Sequence, residues 1–271
     1  MTSTASCLSD YYAALAQIVD NHARLERLQQ ATSGVPLDAQ DQAQLSDVQA
    51  DLQKRSEMAK ALADLAKAFT GLSGSKAPAD VSTSAADLGT ALAAIPNMPG
   101  GSDAATVLQN AGKILTQFAQ ERDERKMAKS IDPTIAALSQ MYTQEKPVYD
   151  SIDRTYIGLA QGIALDLVNH NQVDPNSLMA PALQPFDLSS RVPTEQLSQG
   201  LADYAREQIK TKAATDIAAH SKASDTMDGA LKELAKRTHE LAAEGRMPQR
   251  GFPSLADVES WIEPHQKQHG K

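Results

Sequence analysis

The sequence predicts an all-α fold, an elongated bundle of long antiparallel, coiled-coil-like helices with short accessory helices. Three observations carry this. Alanine accounts for about one residue in six and β-branched runs are nearly absent, a composition that favours helix over strand. Apolar residues recur at alternating spacings of three and four over long stretches, the signature of a helix with one buried stripe. The chain has 271 residues, 41% hydrophobic and 22% charged, with a single cysteine. This composition suits a packed core and provides neither a disulfide framework nor a cysteine-based zinc site.

The first helix is expected near 8–31, where Leu8, Tyr11, Leu15, Ile18, His22 and Leu25 fall on one stripe. Ser33, Gly34 and Pro36 then suit a turn. A second helix over 38–72 carries Leu45, Val48, Leu52, Ala59, Leu62, Ala66 and Phe69, with Asp38 as its cap. A rod of about 50 Å joined to its predecessor by a short turn has to fold back on it to bury its stripe. Residues 73–83 are small and polar and predict a loop, followed by a short helix near 84–95. Pro96, Pro99, Gly100 and Gly101 break the chain. Ser102 or Asp103 then caps a helix through Val107, Ala111, Ile114 and Phe118.

The charged run 120–126 has no apolar stripe and is expected to face water, and Asp132-Pro133 reads as a helix restart. From there Ile131, Ile135, Leu138, Tyr142, Glu145, Tyr149, Ile152, Tyr156, Leu159 and Ile163 keep strict phase past Pro147, which predicts one helix over 133–170 with a kink. Residues 171–193 hold four prolines among Leu178, Met179, Leu183, Phe186 and Leu188, so the segment is non-helical yet too apolar for a bare linker. Thr194 is the expected cap of a helix or helix pair over 195–244, ended by Gly245. Ser254 caps a last short helix that holds Trp261 and stops at Pro264. The whole chain, 1–271, reads as one elongated domain. Its sub-units are a hairpin over 8–73 and the remaining bundle helices over 84–170 and 194–263.

Several chemistries lack their residues. The net charge of −8 and a pI near 5.3 argue against general nucleic-acid binding, which draws on clustered Lys and Arg. His239-Glu240 opens a zincin-like string, but Ala243 stands where the second histidine is required. His265 and His269 share a helical spacing without a third ligand nearby, and His22 on an apolar stripe reads as a half-buried structural histidine. Ser73 and Lys76 match Ser-x-x-Lys without its companion motifs. Gly71, Gly74 and Lys76 lack phosphate-loop spacing, and Gly100–Asp103 follows no strand. Asp150 and Asp153 share a helix face, which is ordinary on an acidic helix. The expectation is a non-enzymatic protein with no catalytic residue, metal or cofactor.

Four features stand above this background. Tyr142, Tyr149 and Tyr156 recur every seven residues, either as rings presented to a partner or as a core seam. Gly158-x-x-x-Gly162, with Ala160 and Ala164, forms a smooth strip expected to let a helix of the bundle approach closely; the other reading of the strip is membrane insertion. Met179, Phe186, Met247 and Phe252 are apolar residues in irregular segments, candidate contacts for a protein partner or plugs for the bundle ends. Thr4-Ala5-Ser6-Cys7 resembles the end of a bacterial lipoprotein signal, with Thr4 where leucine is usual. That resemblance implies lipidation of Cys7 and a cell-envelope location, membrane contact being through this anchor alone. Read with Met1 as the start, Cys7 is instead an ordinary thiol ahead of the first helix. The functional expectation is a helical interaction or scaffold protein that binds a protein partner or self-associates, tethered to the envelope or, alternatively, a cytoplasmic adaptor or structural protein. A helical membrane-active, pore-forming-like protein is the further alternative.

Overall fold

The computed structural model describes residues 2–33, 39–70, 77–96, 124–174, 197–244 and 253–266. All regular structure among the described residues is α-helical: α1 (Thr2–Ser33), α2 (Ala39–Thr70), α3 (Ala77–Ala93), α4 (Glu124–Asn169), α5 (Gln199–Glu244) and α6 (Ala256–Gln266). They assemble as a bundle. At 46 residues each, α4 and α5 run for roughly 70 Å, more than twice the width of a small domain, so the molecule is long. The helix expected over 103–118 lies outside the described residues.

Helices α1 and α2 form the first antiparallel hairpin, and α3 packs on α2. Small residues set the distance between α1 and α2: Ser9 and Ser56 each donate a hydroxyl to the other's backbone carbonyl, at 3.0 and 2.9 Å. The helix begins at Thr2 and not near Leu8, because Thr4, Ala5 and Cys7 are themselves buried in the core. Helix α3 also begins earlier than expected, at Ala77, with Pro78 in the first turn, where its missing N–H has no intrahelical partner. Its Val81, Ala85, Leu88 and Leu92 fall on one face and are buried.

Helices α4 and α5 form the second antiparallel hairpin, in one register from end to end. Arg125 donates to the carbonyls of Ala242 and Ala243 at 3.3 and 2.5 Å, Thr143 to Asp228 at 2.6 Å, and Arg206 to Asn169 at 3.1 Å. This pairing corrects one expectation. The helix does not restart at Pro133; it is already formed at Glu124, and both Pro133 and Pro147 lie inside it. Each proline removes one backbone hydrogen bond, and burial of Met127, Ala128 and Ile131, with the Arg125 cap on the end of α5, offsets the loss at Pro133. Arg125 and Lys126 of the charged run are exposed, and Arg125 also closes the end of α5; residues 120–123 lie outside the described residues.

Helix α4 ends in a Schellman motif, with Gln172 N–H on Leu167 O, Asn171 N–H on Val168 O, and Asn171 in the left-handed region at φ 56°. The Asn171 side chain accepts from Leu197 N–H at 3.1 Å and so fixes the approach to α5. That helix is capped by Ser198, whose hydroxyl accepts from Leu201 N–H; Thr194, the expected cap, lies outside the described residues. It then continues unbroken through 221–225 to Glu244. Ser254 caps α6 by accepting from Ala256 N–H at 3.3 Å, and α6 passes Pro264 to end at Gln266.

The two hairpins meet where α1 crosses α4, and α6 wedges against α1 and α5. The main core lies there, around Tyr11, Tyr12, Leu15, Met58, Tyr142, Tyr149, Met227 and Trp261. Beyond this junction α4 and α5 continue as a two-helix arm, closed at its tip by a small cluster of Val168, Ala202 and Ala205.

Candidate functional site

The arm is the first of two places that set this molecule apart from a closed bundle. The apolar stripe of α4 is buried at Ile131, Ile135, Leu138, Tyr142 and Tyr149, where α1 and α5 cover it. Ile152 and Tyr156 pack against the edge of the core and are only partly buried. The same stripe then runs on through Leu159 and Ile163, half-buried and outside every core cluster among the described residues, where α5 is the one described helix still beside α4. Between the main core and the tip cluster, a groove of about 530 Å³ opens between α4 and α5. It is lined by Tyr156, Ile157, Ala160, Ala164, Ile209 and Ala213, with Gln161, Gln208, Lys212 and Asp216 at its margins. Tyr204 on the same arm is 48% exposed, which is unusual for an aromatic residue in this chain.

Gly158 and Gly162 correct an expectation. They are exposed, and a Cβ built on either meets no neighbouring helix within 4 Å among the described residues, so the glycines admit no described helix of the bundle, while Ala160 and Ala164 face α5 across the groove. Tyr142 and Tyr149 are core, at 0% and 3% exposure, and are not presented to a partner; Tyr156 alone of the ladder reaches the arm. Met179, Phe186, Met247 and Phe252 lie outside the described residues. So do Ser73, Lys76 and His269.

Cys7 does not stand ahead of the first helix but within it, buried against the core. Burial, with Glu259 and Asp10 nearby, pushes its thiol up to about 12, so it is a protonated, unreactive group in the folded chain. Acylation after cleavage ahead of Cys7 would remove Thr4 and Ala5, both at most 2% exposed, from the core.

The second place is a sealed polar cluster at the junction, which sequence reasoning missed. His220 of α5 is 2% exposed; its Nε2 is 3.1 Å from the Tyr11 hydroxyl, and its Nδ1 is 3.5 Å from Asp153 Oδ2 and 4.0 Å from Asp150 Oδ1. Trp261 of α6 lies over the imidazole with ring centres 4.7 Å apart, and the Tyr11 ring is parallel to it within 5°. Burial, partly opposed by Asp150, lowers His220 to about 4, and His265, Lys146 and Arg154 act in the same sense as burial. Burial, with Asp216 and Asp150 nearby, raises Asp153 to about 7. The order Tyr–His–Asp resembles a catalytic relay in connectivity, but Tyr11 is fully buried and Asp153 3% exposed, so no substrate reaches the hydroxyl. The residues are far apart in the chain, and only the Asp150–Asp153 spacing was visible beforehand.

A third buried group ties the hairpins together. Arg55 of α2 makes a two-pronged bridge to Glu145 of α4, Nε to Oε2 at 3.0 Å and Nη2 to Oε1 at 2.6 Å, and the Tyr149 hydroxyl donates to the same carboxylate. His22 is half-buried beside Glu26, and His239 pairs with Asp132 at the surface. No group of three or more His, Cys, Asp or Glu among the described residues is arranged to hold a metal ion. No helix among them is long and apolar enough to cross a membrane. No family model matches the chain, and neither a curated protein nor a solved structure matches it.

Proposed function

We propose that this is a non-catalytic helical interaction protein whose contact surface is the α4–α5 arm, the bundle serving to hold that arm at a fixed angle. One observation carries the reading: the stripe of α4 continues through Tyr156, Leu159 and Ile163 past the point where α1 covers it among the described residues, leaving half-buried apolar surface in register with a core. Half-buried branched residues beside a smooth glycine face form a surface onto which another helix can pack closely, and coiled-coil phase supplies the geometry. The burial of Tyr11, His220 and Asp153 supports the non-catalytic part of the reading, because the groups best suited to acid–base work are shut away from any substrate.

Site-specific photo-crosslinking in the native host tests it, with benzoylphenylalanine placed at Leu159, at Ile163 and, as a control, at Val148, which is 55% exposed on the bundle. The expected outcome is an adduct to the same second protein from both arm positions and not from 148. Adducts no stronger than those of the control overturn the reading.

A further inference from the structure

The buried cluster at the junction holds two carboxylates and one imidazole, and its cations are unevenly shared. Lys146 of α4 pairs with Asp150 and with Asp225 of α5, both at 2.9 Å. Lys212 of α5 pairs with Asp216. Arg154 of α4 is exposed, and His265 of α6 lies behind Trp261 with ring centres 5.0 Å apart. From α1 the cluster receives only the Tyr11 hydroxyl. Asp153 is left with the imidazole of His220 as its near neighbour, and its Oδ2 has no hydrogen-bond partner among the described residues, nor do Asp150 Oδ1 and Ser224 Oγ. A buried carboxylate in that position is stable when a proton is shared between it and the imidazole and costly when it is not.

The helix that covers His220 is the shortest of the described helices. Helix α6 has 11 residues, too few to hold a helix in water without packing. It is held by Val258, Trp261 and Ile262, and by the exposed Lys222–Asp257 bridge at 2.9 Å. Trp261 of α6 covers the His220 imidazole, so lifting the helix exposes that ring, and with it the neighbour of Asp153, to water.

We propose that the Tyr11–His220–Asp153 cluster is a proton-operated latch on α6. With one proton held between Asp153 and His220, the helix stays closed over the junction; when that proton passes to solvent, the buried carboxylate draws in water and α6 is released. The direction follows from linkage. Asp153 binds its proton more tightly folded than unfolded, so the closed state weakens as pH rises from about 4 through about 7. His220 is shifted the other way, so its contribution weakens as pH falls from 6.5 to about 4. Between about pH 4 and 6.5 the two slopes oppose each other, so the net weakening is confined to the interval from about 6.5 to about 7, above which neither group changes further.

Trp261 is the chain's one tryptophan and rests on His220, so its fluorescence reports the latch directly. The experiment follows Trp261 emission and the amide exchange of α6 in the full chain between about pH 5 and 9. The result expected is a single-proton transition near neutrality, with Trp261 emission moving to the red and α6 exchanging faster. It is lost in Asp153→Asn and kept in His265→Gln. No transition in the wild type, its survival in Asp153→Asn, or its loss in His265→Gln overturns the proposal. Should Asp153→Asn fail to fold, carboxyl carbon NMR of Asp153 in the wild-type chain decides. An Asp153 midpoint that coincides with the midpoint of Trp261 emission and α6 exchange upholds the latch, and one at or below about 5.5, or apart from theirs, overturns it.

Discussion

Arg55 shows how single residues join the two hairpins. It is 8% exposed, and its guanidinium meets the Glu145 carboxylate with the planar two-point geometry that lysine cannot reproduce. Its Nη1 also donates to the Asp51 carbonyl at 3.2 Å, one turn back on its own helix. Removing one partner leaves the other charge short of its match inside the protein, whereas removing both need not cost much. Arg55→Met and Glu145→Met are therefore each expected to destabilise the fold by about 2 kcal/mol, moderated by the partial exposure of the bridge. The double variant Arg55→Met with Glu145→Met is expected to recover most of that loss. Chemical denaturation of the four proteins in the cycle checks this, and strict additivity of the two single effects would refute a direct bridge.

At the scale of the element, periodicity was informative wherever it dictated burial. The α4 stripe was legible because each residue on it answers to the same neighbour, so phase alone names Ile135, Leu138, Tyr142 and Tyr149 as core. Small residues gave no such signal: Thr4 and Ala5 are core without being large, and the start of α1 was placed too late. Pro133 misled because a proline reads locally as a boundary, while the packing that overrides it comes from α5, more than a hundred residues away. His220 was hidden for the same reason, since its partners Tyr11 and Trp261 are brought to it only by the fold. Gly158 and Gly162 read as a packing motif, yet they face open space on a helix. Glycine costs a helix about 0.5–1 kcal/mol relative to alanine where nothing requires the missing side chain. Gly158→Ala and Gly162→Ala are each expected to raise the melting temperature of the isolated chain by about 2 °C. A decrease in thermal unfolding experiments would mean that the strip is already packed against something.

Taken together, the described helices form a bundle with one end fastened and one end open. The fastened part combines the aromatic core, the Arg55–Glu145 bridge and α6; the open part is a pair of helices with a small tip cluster and a half-covered stripe. A two-helix arm stands only because its base is held, since long helices depend on packing of their apolar face more than on intrinsic propensity. This gradient of cover along α4 underlies the proposed contact surface. Residue-resolved hydrogen exchange along α4 in the isolated chain tests it most directly. The account predicts that amides around Ile135–Tyr149 exchange at the slow rate of global unfolding and that those over 156–166 exchange about 100-fold faster or more. Uniform protection from Ile135 to Ile163 would contradict it, because the stripe would then be covered along its whole length and would have no face to offer a partner.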